Sequence, residues 1–123
     1  MSHHKYRVLL VEDDPLTLRL AQMELRCFDE LVVDTATDGK QALSLAFNNS
    51  YDLILMDVYI PEMDGLDVTK LLRAAGSWVP IVGITARDCR QECLAAGMND
   101  CLRKPVDYLR VADCWLSKME AAS

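Results

Sequence analysis

The sequence has no long apolar run, no excess of positive charge and no paired-cysteine motif, and each absence excludes a class of protein. No stretch approaches the ~20 consecutive apolar residues that a membrane-spanning helix needs. Acidic residues outnumber basic ones by 19 to 13, and the formal net charge is −6. Because such a chain does not attract nucleic acid or an anionic membrane, we expect neither as a partner.

The cysteines and the N-terminus indicate the compartment. The five cysteines are odd in number and show no C-x-x-C spacing, which is typical of reduced thiols in a reducing compartment. The N-terminus leads into a strand-like stretch rather than a signal peptide, so a cytoplasmic location is expected. Cys89 and Cys93 could share a helix face, but no histidine or second cysteine pair lies near them, and no metal site is predicted there.

Short apolar runs alternate with longer helical patterns along the whole chain, without a linker or repeat. We therefore predict a single domain over residues 1–123, with a core at about residues 6–119. The predicted strands are Arg7–Val11, Leu31–Thr35, Leu53–Met56, Ile81–Ile84 and a weak fifth near Cys101-Leu102. The predicted helices cover about Leu16–Cys27, Lys40–Asn48, Leu66–Ala75, Arg90–Ala96 and Tyr108–Met119.

The pattern inside the predicted strands indicates the fold class. Most strands are uniformly apolar rather than alternating, as parallel strands buried on both faces are. Asp38-Gly39 and Asp64-Gly65 are start signals for the second and third helices. Five β–α units predict a doubly wound α/β fold, with a five-stranded parallel sheet flanked by five helices. Ligands bind such sheets at the carboxyl ends of the strands.

Those strand ends carry acids, a hydroxyl and an ammonium group. Strand one ends in Glu12-Asp13-Asp14, strand three in Asp57, strand four in Thr85-Ala86 and strand five in Lys104-Pro105. Carboxylates ~4 Å apart repel by roughly 4 kcal/mol at an effective dielectric of about 20, so a cation is needed. Hard oxygen ligands suit Mg²⁺. With the lysine and threonine, the set predicts a cage for a phosphoryl group, in which Asp57 is the nucleophile.

The order of these motifs resembles the receiver domains of bacterial response regulators, including the chemotaxis regulators. The stretch MDVYIPEMDG (Met56–Gly65) is similar to the family's segment around the phospho-acceptor, and CLAAGMNDCLRKP (Cys93–Pro105) is similar to its second half. The resemblance covers essentially the whole chain. It implies a flavodoxin-like fold with the strand order 2-1-3-4-5.

The resemblance also implies a role in a two-component phosphorelay. A histidine kinase or histidine phosphotransfer domain would donate a phosphoryl group to Asp57, and the change would switch binding to a downstream protein that the sequence does not identify. Mg²⁺-dependent self-phosphorylation and autodephosphorylation would be the only reactions, so the chain is not expected to be an enzyme in the usual sense. Lys104-Pro105 matches a bond that is usually cis in the family.

Individual site residues follow from the same resemblance. Asp14 falls one place beyond the family's acidic pair and is left out. The backbone carbonyl of Tyr59 would complete a Mg²⁺ site, for which Mn²⁺ is an alternative ion. The implied metal ligands are Glu12, Asp13, Asp57 and Tyr59, and the implied phosphoryl contacts are Thr85 and Lys104.

Three further features of the sequence bear on the switch, on the lifetime of the acyl phosphate and on the docking of the phosphodonor. Cys101 stands where the family usually carries a tyrosine or phenylalanine that reports phosphorylation, so we expect a muted switch around helix four, strand five and helix five. Tyr59 and Arg87 occupy positions that tend to set acyl-phosphate lifetime in the family. Helix one carries a second apolar stripe, either covered by neighbouring helices or used to dock the phosphodonor; it comprises Leu16, Leu20 and Met23.

Other functions remain open at this stage. The same fold can act as a phosphorylation-independent binding module, although such a module would be expected to lose part of the Asp57, Thr85 and Lys104 set. The acidic loop after strand one would repel a flavin phosphate, and Tyr59 occupies the place of the second acid of a haloacid-dehalogenase phosphatase. The chain is either a stand-alone regulator or a receiver from a longer protein such as a hybrid sensor kinase.

Overall fold

The computed structural model describes residues 5–122. Residues 1–4, on which the expectation of no signal peptide partly rests, lie outside this range. Strands and helices alternate strictly along the chain: β1 (Tyr6–Val11), α1 (Pro15–Leu25), β2 (Leu31–Ala36), α2 (Gly39–Asn48), β3 (Leu53–Asp57), α3 (Gly65–Ala74), β4 (Ile81–Thr85), α4 (Arg90–Ala96), β5 (Asp100–Arg103) and α5 (Tyr108–Ala122).

All strand pairs are parallel, and the sheet has the order β2-β1-β3-β4-β5, so the predicted doubly wound, flavodoxin-like fold is confirmed. The register places the carboxyl ends of four strands, β1, β3, β4 and β5, side by side. Val11 pairs with Met56, Asp57 pairs with Ile84, and Thr85 pairs with Arg103. The residues that follow these strand ends therefore meet at one edge of the sheet.

Alternate strand residues supply two apolar cores, one on each face of the sheet. Leu9 and Val11 point toward α2, α3 and α4, whereas Val8 and Leu10 point toward α1 and α5. Burial on both faces explains why most of the strands are uniformly apolar. Within the described part of the chain, no helix is long and apolar enough to cross a membrane.

The helices begin where the sequence places their capping residues. Asp14, Asp38 and Asp64 are the N-caps of α1, α2 and α3, and each side chain accepts a backbone N–H of the first turn. Each of these helices therefore starts one residue earlier than predicted, because the residue after the cap is already helical. Gly97 ends α4 with φ of 110°, in the left-handed region that favours glycine.

The remaining boundary differences are small. Helix α1 ends at Leu25 rather than at Cys27, because Arg26 already acts as its C-cap, and α5 extends to Ala122. The fifth strand is four residues long, and its hydrogen bonding to β4 explains why a segment with little apolar pattern is a strand. Asp57 and Thr85 are the last residues of β3 and β4, so their backbones are fixed in the sheet.

Candidate functional site

Three carboxylates meet at the carboxyl edge of the sheet. Glu12 follows β1 and is 1% exposed, and Asp57 ends β3 and is 5% exposed, whereas Asp13 is open to solvent. One carboxylate oxygen from each residue lies within 4.8 Å of the other two. The structure thus brings together the three acids that the sequence singled out, two of them buried.

Lys104 joins the two buried acids. Its Nζ donates to Glu12 Oε1 at 2.8 Å and to Asp57 Oδ2 at 2.9 Å. Burial alone would lower the pKa of Lys104, but the hydrogen bonds and charges of Glu12 and Asp57 outweigh it and raise the pKa above the usual lysine range. The ammonium is therefore charged at neutral pH. It follows the last residue of β5 and precedes a cis bond to Pro105, as the resemblance implied.

Thr85 is placed by β4 and is 1% exposed. Its Oγ1 accepts from the Arg87 backbone N–H at 3.0 Å and from the Cys89 thiol at 3.7 Å. Its backbone oxygen accepts the Lys104 N–H at 2.8 Å, which ties the two loops together. Because a hydroxyl has two lone pairs and one hydrogen, these donors leave the hydrogen of Thr85 for a further acceptor.

The loop between β3 and α3 folds back on Asp57. The Tyr59 backbone N–H donates to Asp57 Oδ1 at 3.2 Å, so both oxygens of this carboxylate have donors. Gly65 lies so close that a Cβ atom there would sit 2.6 Å from the backbone oxygen of Asp57. A glycine is required at this position because any side chain would push the loop away from the phospho-acceptor candidate.

Asp14 has a structural role that explains its exclusion from the acidic set. Its carboxylate accepts the backbone N–H of Thr17 at 2.9 Å, and hydrogen bonds from the side chain and backbone of Thr17 lower the pKa of Asp14. Its own backbone N–H donates to Glu12 Oε2 at 3.0 Å. Asp14 therefore caps α1, whereas Glu12 is turned into the protein.

Sequence reasoning missed one neighbour of this site and one contact close to it. Tyr108, at the start of α5, is buried beside it, and burial together with the charge of Glu12 raises the pKa of Tyr108 to about 12. Cys101 approaches Cys93 to 3.3 Å, because β5 pairs with β4 next to α4. The strand order could have indicated this second contact, but the spacing of the cysteines along the chain could not.

Comparison with known proteins identifies the family. The sequence profile of the response regulator receiver domain matches residues 8–113, most of the chain. This chain belongs to the response regulator receiver domain family. Receiver domains are the signal-receiving modules of two-component systems, so the class that the resemblance implied is confirmed.

Individual relatives are sensor kinases and response regulators. The chain is 38% identical over 108 residues to the sensor histidine kinase RcsC of Salmonella typhimurium, covering 85% of this chain and 11% of that protein. It is 40% identical over 102 residues to the response regulator MprA of Mycobacterium sp. strain KMS, covering 80% of this chain and 44% of that protein. This chain therefore spans less than half the length of either relative.

One solved receiver domain that resembles this chain contains a metal ion. The receiver domain of sensor histidine kinase PA1611 from Pseudomonas aeruginosa PAO1 is 36% identical to this chain, with a TM-score of 0.82 over 92% of this chain and 96% of that one. That protein has a magnesium ion coordinated in its active site cleft. In the present chain, three carboxylates face a single ammonium, so the donor set has the hard oxygens and the surplus negative charge that fit Mg²⁺.

Proposed function

We propose that this domain accepts a phosphoryl group on Asp57 in a Mg²⁺-dependent reaction and thereby switches its binding to another protein. The observation that carries the proposal is the position of Lys104, whose Nζ contacts Asp57 Oδ2 at 2.9 Å within a cluster of three carboxylates. A surface lysine would not be drawn into a buried acidic pair unless the site needed a fixed positive charge. The family membership supports the same function.

Asp13, Asp57 and the backbone carbonyl of Tyr59 are the residues that we assign to Mg²⁺, with Mn²⁺ as an alternative ion. Glu12 differs from these, since its Oε1 accepts from Lys104 and its Oε2 from the Asp14 N–H. We therefore expect Glu12 to act through a metal-bound water, because Mg²⁺ keeps several waters in such sites. When bound, the ion supplies charge neutralisation for an incoming phosphoryl group.

The protein's own groups have distinct tasks in the transfer. A carboxylate oxygen of Asp57 forms the new P–O bond while the P–N bond of a phosphohistidine donor breaks, and the bonding electrons leave with the imidazole nitrogen. The Lys104 ammonium offsets negative charge on the phosphoryl oxygens, and the Thr85 hydroxyl donates its remaining hydrogen to one of them. Catalysis is thus positioning and electrostatics on a preformed frame.

The phosphodonor docks, in this proposal, on the exposed apolar side of α1. Leu16 and Leu20 are 66% and 52% exposed, whereas Ala21 and Leu25 of the same helix are buried against the sheet. A groove beside this face is lined by residues of α1 and of the loop before α5, among them Leu20, Lys104 and Pro105. The groove thus joins an apolar docking face to Lys104, which contacts Asp57, and such a face suits a donor from a helical bundle.

The proposal also covers the reactions of the domain, its phosphodonor and its location in the cell. Self-phosphorylation and autodephosphorylation are the only reactions that we assign, so the domain is a switch rather than an enzyme acting on other molecules. A histidine kinase or a histidine phosphotransfer domain is the proposed donor, supported by the sensor kinases among the relatives. We propose a cytoplasmic location, supported by the absence of C-x-x-C spacing in the sequence.

The proposal is tested by the intact mass of the protein after incubation with Mg²⁺ and acetyl phosphate. We expect a gain of one phosphoryl group that disappears when Mg²⁺ is chelated and in the Asp57→Asn variant. Asp64→Asn changes a half-buried acid on the same loop and keeps a side-chain oxygen that can cap α3, so it is the matched control and should still be phosphorylated. Folded protein that gains no mass and shows no response to Mg²⁺ would favour the alternative, a phosphorylation-independent binding module.

A further inference from the structure

Three thiols form a buried cluster behind the phosphoryl site. Cys93 Sγ lies 3.7 Å from Cys89 Sγ and 3.3 Å from Cys101 Sγ, and all three sulfurs are within 4.8 Å of one another. The exposed fractions of these residues are 8%, 0% and 9% in chain order. The other two cysteines, Cys27 and Cys114, are exposed and belong to different helices or their ends.

The fold assembles this cluster from separate elements. Cys89 is the residue before α4, Cys93 lies on its buried side, and Cys101 reaches the same point from β5. Gly83 of β4 lies opposite Cys101 of β5, and its lack of a side chain leaves room for the sulfur cluster. A Cβ atom at position 83 would lie 2.5 Å from Met98 Sδ and 3.5 Å from Cys93 Sγ. A fourth sulfur, that of a thioether, thus borders the cluster.

The spacing of the sulfurs matches a single metal ion. Metal–thiolate bonds are about 2.3 Å long, so two sulfurs on one ion lie at most ~4.6 Å apart. The separations of Cys93 Sγ from the other two sulfurs, 3.3 and 3.7 Å, fall inside that limit, and the third pair lies within 4.8 Å. No histidine or carboxylate belongs to the cluster among the residues that the structure describes, so every available donor is soft.

The chemistry of the donors selects the ion. Thiolate and thioether sulfurs favour Cu(I), whereas structural zinc sites almost always have four ligands drawn from cysteine, histidine or carboxylate. Three thiols and a neighbouring thioether, without a nitrogen or oxygen side chain, suit Cu(I) better than Zn²⁺.

Disulfide chemistry fits the cluster less well. A disulfide bond of about 2.05 Å joins only two sulfurs and would require them to move from the observed separations of 3.3 or 3.7 Å. A pairwise reaction would also leave the third thiol without a role.

We infer that Cys89, Cys93 and Cys101 form a site for one thiophilic metal ion, with Cu(I) as the ion that their geometry and donor type favour. Each sulfur that ligates the ion releases its thiol hydrogen to solvent. Cys89 would then no longer donate to Thr85 Oγ1, so one side chain links the ion to the phosphoryl site. The site itself does not depend on phosphorylation.

The test uses the reduced protein with Cys27 and Cys114 both changed to serine, which removes the exposed thiols and keeps the cluster. Cu(I) is added without oxygen against bicinchoninate, a chromogenic chelator, and bound copper per chain is measured. We expect one equivalent to be retained. X-ray absorption of that sample should show three sulfur neighbours. Cys93→Ala in the same background should weaken binding at least ten-fold, and Zn²⁺ should be held less tightly than Cu(I) against matched chelators.

Several results would overturn the inference. One is that the cluster-containing protein retains no copper; another is that Cys93→Ala retains it equally well. If circular dichroism shows that Cys93→Ala does not fold, X-ray absorption of the copper-loaded protein with the intact cluster is the deciding measurement. Fewer than three sulfur neighbours around the copper would then reject the site. Tighter binding of Zn²⁺ than of Cu(I) would reject the assignment of the ion.

Discussion

The guanidinium carbon of Arg87 lies 4.4 Å from the centre of the Tyr59 ring. Tyr59 follows Asp57 by two residues, and Arg87 follows Thr85 by two, so the contact joins the two loops that flank the proposed phosphoryl site. A cation–π contact at such an exposed place contributes about 0.5–1 kcal/mol. It restricts the half-exposed ring of the residue whose backbone N–H contacts the Asp57 carboxylate.

The first prediction concerns the lifetime of the acyl phosphate. Tyr59→Ala removes the ring that obstructs an attacking water, so we expect dephosphorylation about two- to five-fold faster than in the wild type. The rate is followed by intact mass after the phosphodonor is removed. Arg87→Gln should give a smaller acceleration, because the ring remains but its position is less restricted. A wild-type rate equal to or faster than that of Tyr59→Ala would refute the shielding role.

The second prediction tests donor docking on α1. Leu20→Asp places a charge on the proposed docking face, so phosphotransfer from a histidine phosphotransfer domain should slow by at least ten-fold, while phosphorylation by acetyl phosphate is unchanged. Leu71→Asp is the matched control, since Leu71 is also an exposed helical leucine but lies on α3, across the sheet. Equal transfer to both variants would place the docking face elsewhere.

The third prediction concerns the output of the switch. Cys101 Sγ is engaged by Cys93 at 3.3 Å, and the only side chain that the described contacts place on Thr85 Oγ1 is that of Cys89. With no aromatic ring to turn at Cys101, phosphorylation should change amide chemical shifts mainly in the loop from Thr85 to Asp88. Large shifts spread across α4, β5 and α5 in the NMR spectrum would contradict a muted switch.

The fourth prediction is a pH dependence of stability at the other end of the sheet. Hydrogen bonds from Tyr51 at 2.7 Å and from Arg7 at 2.7 Å lower the pKa of Asp34 below 3.8. Because the folded-state pKa is depressed, the stabilisation is present above the unfolded-state pKa and is lost as the pH falls through the folded-state pKa.

Asp34→Asn should therefore lower the free energy of unfolding at pH 7 by about 1 kcal/mol, a value discounted for the one-third exposure of the carboxylate. Urea denaturation should show that the difference in the free energy of unfolding between the wild type and Asp34→Asn decreases as the pH is lowered toward the acid limit of folding. Asp113→Asn, on the exposed side of α5, is the control and should change stability little at either pH. A difference between wild type and Asp34→Asn that stays constant with pH would mean that the charge of Asp34 does not contribute to stability.

The strand ends were the most predictable part of this site. Apolar runs followed by Asp57, Thr85 and Lys104 indicate a parallel sheet and the contents of its carboxyl edge, because the geometry of parallel sheets brings those ends together. The strand order depended on the resemblance to a family. Glu12, Asp57 and Lys104 meet as expected.

Contacts between distant loops could not be predicted. The stacking of Arg87 on Tyr59 and the approach of Cys101 to Cys93 depend on loop conformation and side-chain rotamers, which no periodic pattern encodes. The two protein donors on Glu12 likewise became visible only in three dimensions. Single-residue shifts of helix starts arose because a capping residue determines the first helical position more accurately than an apolar pattern does.

The central claim is that Asp57 itself carries the phosphoryl group, and trapping of the acyl phosphate tests it most directly. Protein phosphorylated with acetyl phosphate and Mg²⁺ is reduced with borohydride, which converts an aspartyl phosphate to homoserine, and is then digested for peptide mass spectrometry. We predict homoserine at position 57, with Asp13 and Asp64 unchanged. Homoserine at any other aspartate, with position 57 unmodified, would contradict the account.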